Sequence, residues 1–177
     1  GAMATRALIE AGRRHPLLLT YRSGPRNLRE AGYRAEVARA GLEPRIVTVP
    51  FDTPIPQRFA LVQGSLDEAR AQAPIDGVFA TDDLAAAEVL EWARSRSLSV
   101  PGDLSVIGFD GTETMRRALP HLATIRQPIA QIARAAVDIL LGQMRGTLPR
   151  PIDEAGDNSS PTLEFAGTLV QGRSLSL

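Results

Sequence analysis

A chain of 177 residues can bury one sizeable core, or a domain and a fraction, but not several domains. Hydrophobic residues at 44% and charged residues at 23% are ordinary for a globular protein, and 20 basic against 20 acidic residues argue against a chain-wide nucleic-acid or anionic-membrane surface. Every basic residue is Arg, so Schiff-base and P-loop lysines are excluded, and the lack of Cys removes disulfides, thiolate catalysis and zinc–sulfur sites.

Gly1-Ala2-Met3 reads as a cloning scar and is set aside. Residues 4–11 carry a helical pattern ended by Gly12. "HPLLLTY" contains a buried strand over 17–21. "PRNLREAGYRAEVARAG" places Leu28, Ala31, Ala35 and Ala38 at helical spacing and stops at Gly41. "RIVTV", 45–49, alternates and is β-branched, which predicts a strand. A helix is expected over 55–72, a strand at "GVFAT", a helix over 83–95, a strand at "LSVIGF" and a short helix near 112–118. "LATIRQP" reads as a strand ended by Pro128. In "PIAQIARAAVDILLGQM", Ile129, Ile132, Ala133, Ala136, Val137, Leu140 and Leu141 make one apolar helical face, and Pro128 suits its first turn. Residues 145–161 form a polar crossing without a core pattern, and "TLEFAGTLV" is a closing strand.

Strand and helix alternate about four times before residue 120, which predicts an α/β fold: a parallel sheet with helices on both faces and right-handed connections. In such a sheet, ligands bind outside the carboxyl ends of the strands. That rule selects Tyr21-Arg22, Pro50-Phe51-Asp52, Thr81-Asp82-Asp83 and Asp110-Gly111-Thr112. Several carboxylates beside an aromatic face suit a sugar or polyol better than an anion. Each residue also has a local reading. Asp82 and Asp83 precede a helix and could cap it, with Asp83 the more natural cap. Asp110 could belong to a simple turn, Arg29 could be a solvated helix charge, and Phe51 could cover the core.

Enzyme readings find little. "VIGFDGTET" resembles the Asp-x-Asp-Gly-Thr strand end of haloacid-dehalogenase-type phosphatases, but Gly108 stands where the nucleophile would be. No nucleophile elbow and no dinucleotide fingerprint occur. The two His have no ligand-like spacing, so no metal and no cofactor are expected.

Three stretches together carry a resemblance. "VFATDDLAAAEVLEWARSRSLSVPGDLSVIGFDG" is similar to the region of LacI/GalR-type bacterial transcription regulators that runs from Asn-Asp-x-x-Ala to Gly-(Phe/Tyr)-Asp. "LATIRQPIAQIARAAVDILL" resembles their Gln-Pro segment and following helix, and "NLREAGYRAEVARAGL" their Arg-x-x-Gly-(Phe/Tyr) segment. The resemblance covers nearly the whole chain. It implies a periplasmic-binding-protein-like effector domain that binds a sugar, polyol or nucleobase, dimerises, and reaches operator DNA only through a helix-turn-helix head absent from this sequence. It also implies that residues 4–120 are the second subdomain, 121–145 belong to the first, and 146–177 cross back to a final strand. The ligand residues it implies are Arg29, Thr81 (in place of the usual Asn), Asp82 and Asp110, with Phe51 or Asp52 near a further pocket position; the strand-end rule adds Tyr21. The expected protein is cytoplasmic, makes no membrane contact and is not an enzyme. An uptake-type sugar-binding protein is the alternative, and an α/β hydrolase a more distant one. The apolar helix face over 129–141 would lack its usual partner, so pairing with a second copy is expected.

Overall fold

The computed structural model describes residues 1–24, 26–148 and 163–175. Six strands form one sheet in the order β2-β1-β3-β4-β5-β6. They are β1 (Pro16–Thr20), β2 (Arg45–Thr48), β3 (Gly77–Ala80), β4 (Ser105–Asp110), β5 (Ala123–Arg126) and β6 (Thr168–Val170). The first five run parallel, with Leu18 opposite Ile46 on one side and Phe79 on the other. The helices are α1 (Ala2–Glu10), α2 (Leu28–Arg39), α3 (Ile55–Gln72), α4 (Asp83–Ser95), α5 (Glu113–Ala118) and α6 (Ile129–Met144).

The uninterrupted apolar strands follow from burial on both faces, which leaves no solvent side for polar residues. Strand periodicity of two then sorts the side chains. Leu17 and Leu19 of β1 join Val62 and Leu66 of α3 and Val89 and Trp92 of α4 in one core cluster. Leu18 turns to the other face and packs with Leu8 of α1, Tyr33 and Val37 of α2, and Phe79 and Ile107. The Tyr33 hydroxyl accepts the Arg45 N–H at 2.9 Å and lies 2.9 Å from the Pro16 carbonyl, tying α2 to the starts of β1 and β2.

Element limits differ from the sequence expectation where local chemistry intervenes. α2 begins at Leu28 because Asn27 accepts the N–H groups of Arg29 and Glu30. The closing strand is confined to Thr168–Val170, and most of the expected 145–161 crossing lies outside the described residues.

The chain divides into two compact units, residues 1–126 with 169–177, and residues 127–168. The expected boundary at 120/121 falls just before β5, which pairs with β4 inside the first unit. Within that unit the chain end returns to the sheet. The Ser174 hydroxyl accepts the Ala123 N–H at 2.8 Å and donates to the Val106 carbonyl at 2.7 Å. In the second unit, α6 has no buried residue, and Ile129, Val137, Leu140 and Met144 are each more than half exposed.

Candidate functional site at the carboxyl edge of the sheet

All the sequence-selected strand ends meet at one edge of the first unit, because parallel strands bring their carboxyl ends to the same side. Two cavities open there. One of about 750 Å³ is lined by residues 20–24 after β1, the start of α2 including Asn27 and Arg29, and Phe51, Thr81 and Asp82. The other, about 290 Å³, is lined by Tyr21, Phe51, Arg58, Asp82, Asp83 and Asp110, among others. Tyr21, Phe51 and Asp82 border both.

Arg29 is fixed from three sides. It donates through Nη1 to the Thr81 carbonyl at 2.6 Å, lies 3.5 Å from Asp110 Oδ1 through Nη2, and stacks 3.9 Å above the Phe109 ring. A solvated helix charge would make none of these contacts. Thr81 is buried, and its backbone is spoken for on both sides, its N–H bonding the Leu19 carbonyl. Phe51 is 66% exposed, so it does not cover the core, and the Arg22 guanidinium lies 4.5 Å from its ring centre.

Tyr21 donates its hydroxyl to Glu88 Oε2 at 3.1 Å, and Glu88 Oε1 accepts from Arg58 Nε at 2.9 Å. Arg58 also lies 5.0 Å from the Tyr21 ring centre. Burial raises the Tyr21 phenol well above its ordinary value, and the Asp82 and Glu88 carboxylates push it further in the same direction. The phenol therefore stays a neutral hydrogen-bonding group. Arg58 and Glu88 had no sequence signal, because Glu88 reads as an ordinary position on an amphipathic helix.

The two acids at the start of α4 divide their work differently from the sequence expectation, because the cap is Asp82 and not Asp83. Asp82 is the cap: its Oδ1 accepts the Ala85 N–H at 2.7 Å, and the residue still borders both cavities. Asp83 is 3% exposed and crosses over β4. Its Oδ2 accepts the Gly111 N–H at 2.9 Å and its Oδ1 the Thr124 hydroxyl at 2.5 Å. Burial pushes the Asp83 carboxyl up, against the two hydrogen bonds that favour its charge. Gly108 makes this crossing possible, since a Cβ there would lie 2.4 Å from Asp83 Oδ1.

Asp110 has φ 104°, a backbone conformation that side chains other than Gly rarely adopt and that costs about 1–3 kcal/mol. Such outliers persist only where surrounding structure enforces them. The simple-turn reading of Asp110 does not account for this, whereas a carboxylate aimed beside Arg29 at a cavity does. Among the described residues no group of His, Cys, Asp and Glu is placed to hold a metal ion, and no helix is long and apolar enough to cross a membrane.

Comparison with known proteins agrees with this architecture. A periplasmic binding protein-like domain matches residues 5–175. The sucrose operon repressor of Pediococcus pentosaceus is 37% identical over 145 residues, covering 80% of this chain and 43% of that protein. That of Lactococcus lactis subsp. lactis is 34% identical over 175 residues, 97% of this chain and 49% of that protein. The chain thus spans about half the length of the curated relatives it matches. A LacI family transcriptional regulator from Arthrobacter sp. FB24, solved in complex with lactose, superposes with a TM-score of 0.77 at 25% identity, over 98% of this chain and 61% of that one. The strand order, the shared edge of cavities and these matches place this chain in the periplasmic binding protein-like family, among the LacI-type transcription regulators.

Proposed function

We propose that this chain is the effector-sensing part of a LacI-type regulator and that its effector is a sugar or polyol held at the carboxyl edge of the sheet. Asp82 and Asp110 would accept hydroxyl protons, Arg29 and the Thr81 side chain would orient the ring, and Tyr21 and Phe51 would offer it apolar faces. The observation that carries this reading is the convergence of two carboxylates, a fixed Arg and two aromatic rings on adjoining cavities. The names of the relatives support the ligand class: two are sucrose operon repressors and one solved neighbour holds lactose. In an intact cytoplasmic regulator, a ligand that prefers one arrangement of the subdomains shifts their population and so the spacing of the DNA-binding heads. The DNA contact itself would be made outside this chain, and the protein would act as a homodimer rather than as an enzyme.

The test is a thermal shift on the intact regulator with sucrose, lactose and cellobiose. A sugar at 100 times its Kd stabilises the folded state by about 2.7 kcal/mol. Asp82→Asn and Asp110→Asn should each remove most of that shift. Asn is chosen at 82 because it still caps α4, whereas Ala would add a cap loss of about 1 kcal/mol and confuse the two effects. A shift that survives both substitutions, or no shift with any sugar, refutes the assignment.

A further inference from the structure

The cavity-facing carboxylate of Asp110 sits on an unfavourable backbone, and the group that holds this backbone is a buried carboxylate at the floor of the smaller cavity. Asp110 has φ 104° and Gly111 φ 60°, so two consecutive residues take left-handed conformations. The N–H that follows Asp110 is bound by Asp83 Oδ2 at 2.9 Å, in a buried setting. Asp83 is itself held by Thr124 of β5 through a 2.5 Å hydrogen bond and by the first turn of α4. A Cβ at Gly111 would lie 2.8 Å from the Arg126 Cα, so β5 also confines the turn sterically.

We infer that Asp83, whose two carboxylate oxygens are taken up by Gly111 and Thr124 at the floor of the smaller cavity, is a positioning residue that clamps the Gly111 amide and thereby holds Asp110 in the conformation that faces Arg29 and the cavity. The clamp joins the ends of β3 and β4 to β5, which fixes the spacing between the Asp82 and Asp110 side chains. A hydrogen bond between a backbone N–H and a charged, buried acceptor is among the stronger ones available for this purpose. Without it the turn is free to relax to negative φ, and such a relaxation swings the Asp110 carboxylate away from Arg29. This inference rests on the edge of the sheet being the sugar site.

Three variants, each made in the intact regulator, separate the roles. Asp83→Ala deletes both hydrogen bonds. Thr124→Val removes only the donor that orients Asp83. Asp83→Asn keeps both contacts, with Oδ1 accepting from Gly111 and the amide donating to a reoriented Thr124 hydroxyl. Two measurements are made on each: hydrogen exchange of the Gly111 amide without ligand, and titration calorimetry with whichever of sucrose, lactose and cellobiose binds the wild type. Asp83→Ala should expose the Gly111 amide and weaken binding roughly ten- to a hundred-fold, the equivalent of one charged hydrogen bond. Asp83→Asn should restore both readouts to within a few-fold of wild type. If Asp83→Ala does not fold, Thr124→Val should weaken the Gly111 protection and the affinity together, and unchanged values for both overturn the inference. A folded Asp83→Ala chain that keeps Gly111 protected, or binds sugar as the wild type does, also overturns it, because a merely structural carboxylate would lower the melting temperature and leave the Kd alone. Failure of all three sugars on the wild type would instead sink the proposed effector class, with the exchange measurement still deciding whether the clamp exists.

Discussion

Single side chains in this protein carry charge in places where burial would ordinarily forbid it, and each does so through named partners. Glu36 is buried on α2, with Arg6 Nη2 at 2.6 Å and Arg39 Nη2 at 2.8 Å. The Arg6 hydrogen bond, helped by Arg39 and opposed by burial, lowers its carboxyl from 4.5 to about 2. A carboxylate depressed in the folded state contributes stability above its unfolded value and loses it as pH falls through the folded one. Part of the stability at neutral pH should therefore disappear between about pH 4.5 and 2. Chemical denaturation at stepped pH should show Glu36→Gln with lower stability at pH 7 and a shallower decline across that window than the wild type. A slope equal to that of the wild type would exclude Glu36 as a source of the acid sensitivity. The choice of Asp82 over Asp83 as the cap belongs to this scale too. The sequence pattern marks a helix start, but two adjacent acids look alike until something distant claims one of them.

At the scale of the element, β4 shows how one missing side chain lets another element through. The strand reads "SVIGFD", and apolar burial alone would accept Ala at 108 as readily as Gly. The buried carboxylate that crosses the strand decides otherwise. An added methyl at Gly108 meets Asp83 Oδ1 at 2.4 Å, Leu122 Cδ2 at 3.2 Å and Ala86 Cβ at 3.3 Å. Gly108→Ala should destabilise the chain by about 1–3 kcal/mol through overpacking, read as a lower urea midpoint with an unchanged m-value. The α3–α4 contact offers a contrast, because it is made by ordinary complementarity. Trp92 is fully buried and donates its Nε1–H to Asp67 Oδ1 at 2.9 Å, while Arg96 pairs with the same carboxylate. Trp92→Phe should cost about 1–3 kcal/mol in the same assay, since it unmakes a part-buried hydrogen bond to a charged acceptor and leaves space behind.

For the whole molecule, the exposed face of α6 matters most. Val137, Leu140 and Met144, at i, i+3 and i+7, are each more than half exposed, which makes a contiguous apolar strip in water. The chain should self-associate through that strip, and light scattering across a concentration series should show mass rising above 19.0 kDa. Val137→Glu with Leu140→Glu should return it to a monomer. A monomer at every concentration before mutation would rule the strip out as a self-association surface.

What the sequence determined by itself was the alternation of apolar strands and amphipathic helices, and hence a parallel sheet whose carboxyl edge gathers Tyr21, Phe51, Asp82 and Asp110. These are consequences of periodicity and of topology rules that need only local spacing. Tertiary structure alone decided that Asp83 is buried and Asp82 caps, because the partners of Asp83 stand 28 and 41 residues further on. It alone brought Arg29 onto Phe109 and the Thr81 carbonyl, and Arg58 onto Glu88 and Tyr21. Desolvation and hydrogen bonding across strands act through space, so no pattern along one segment records them.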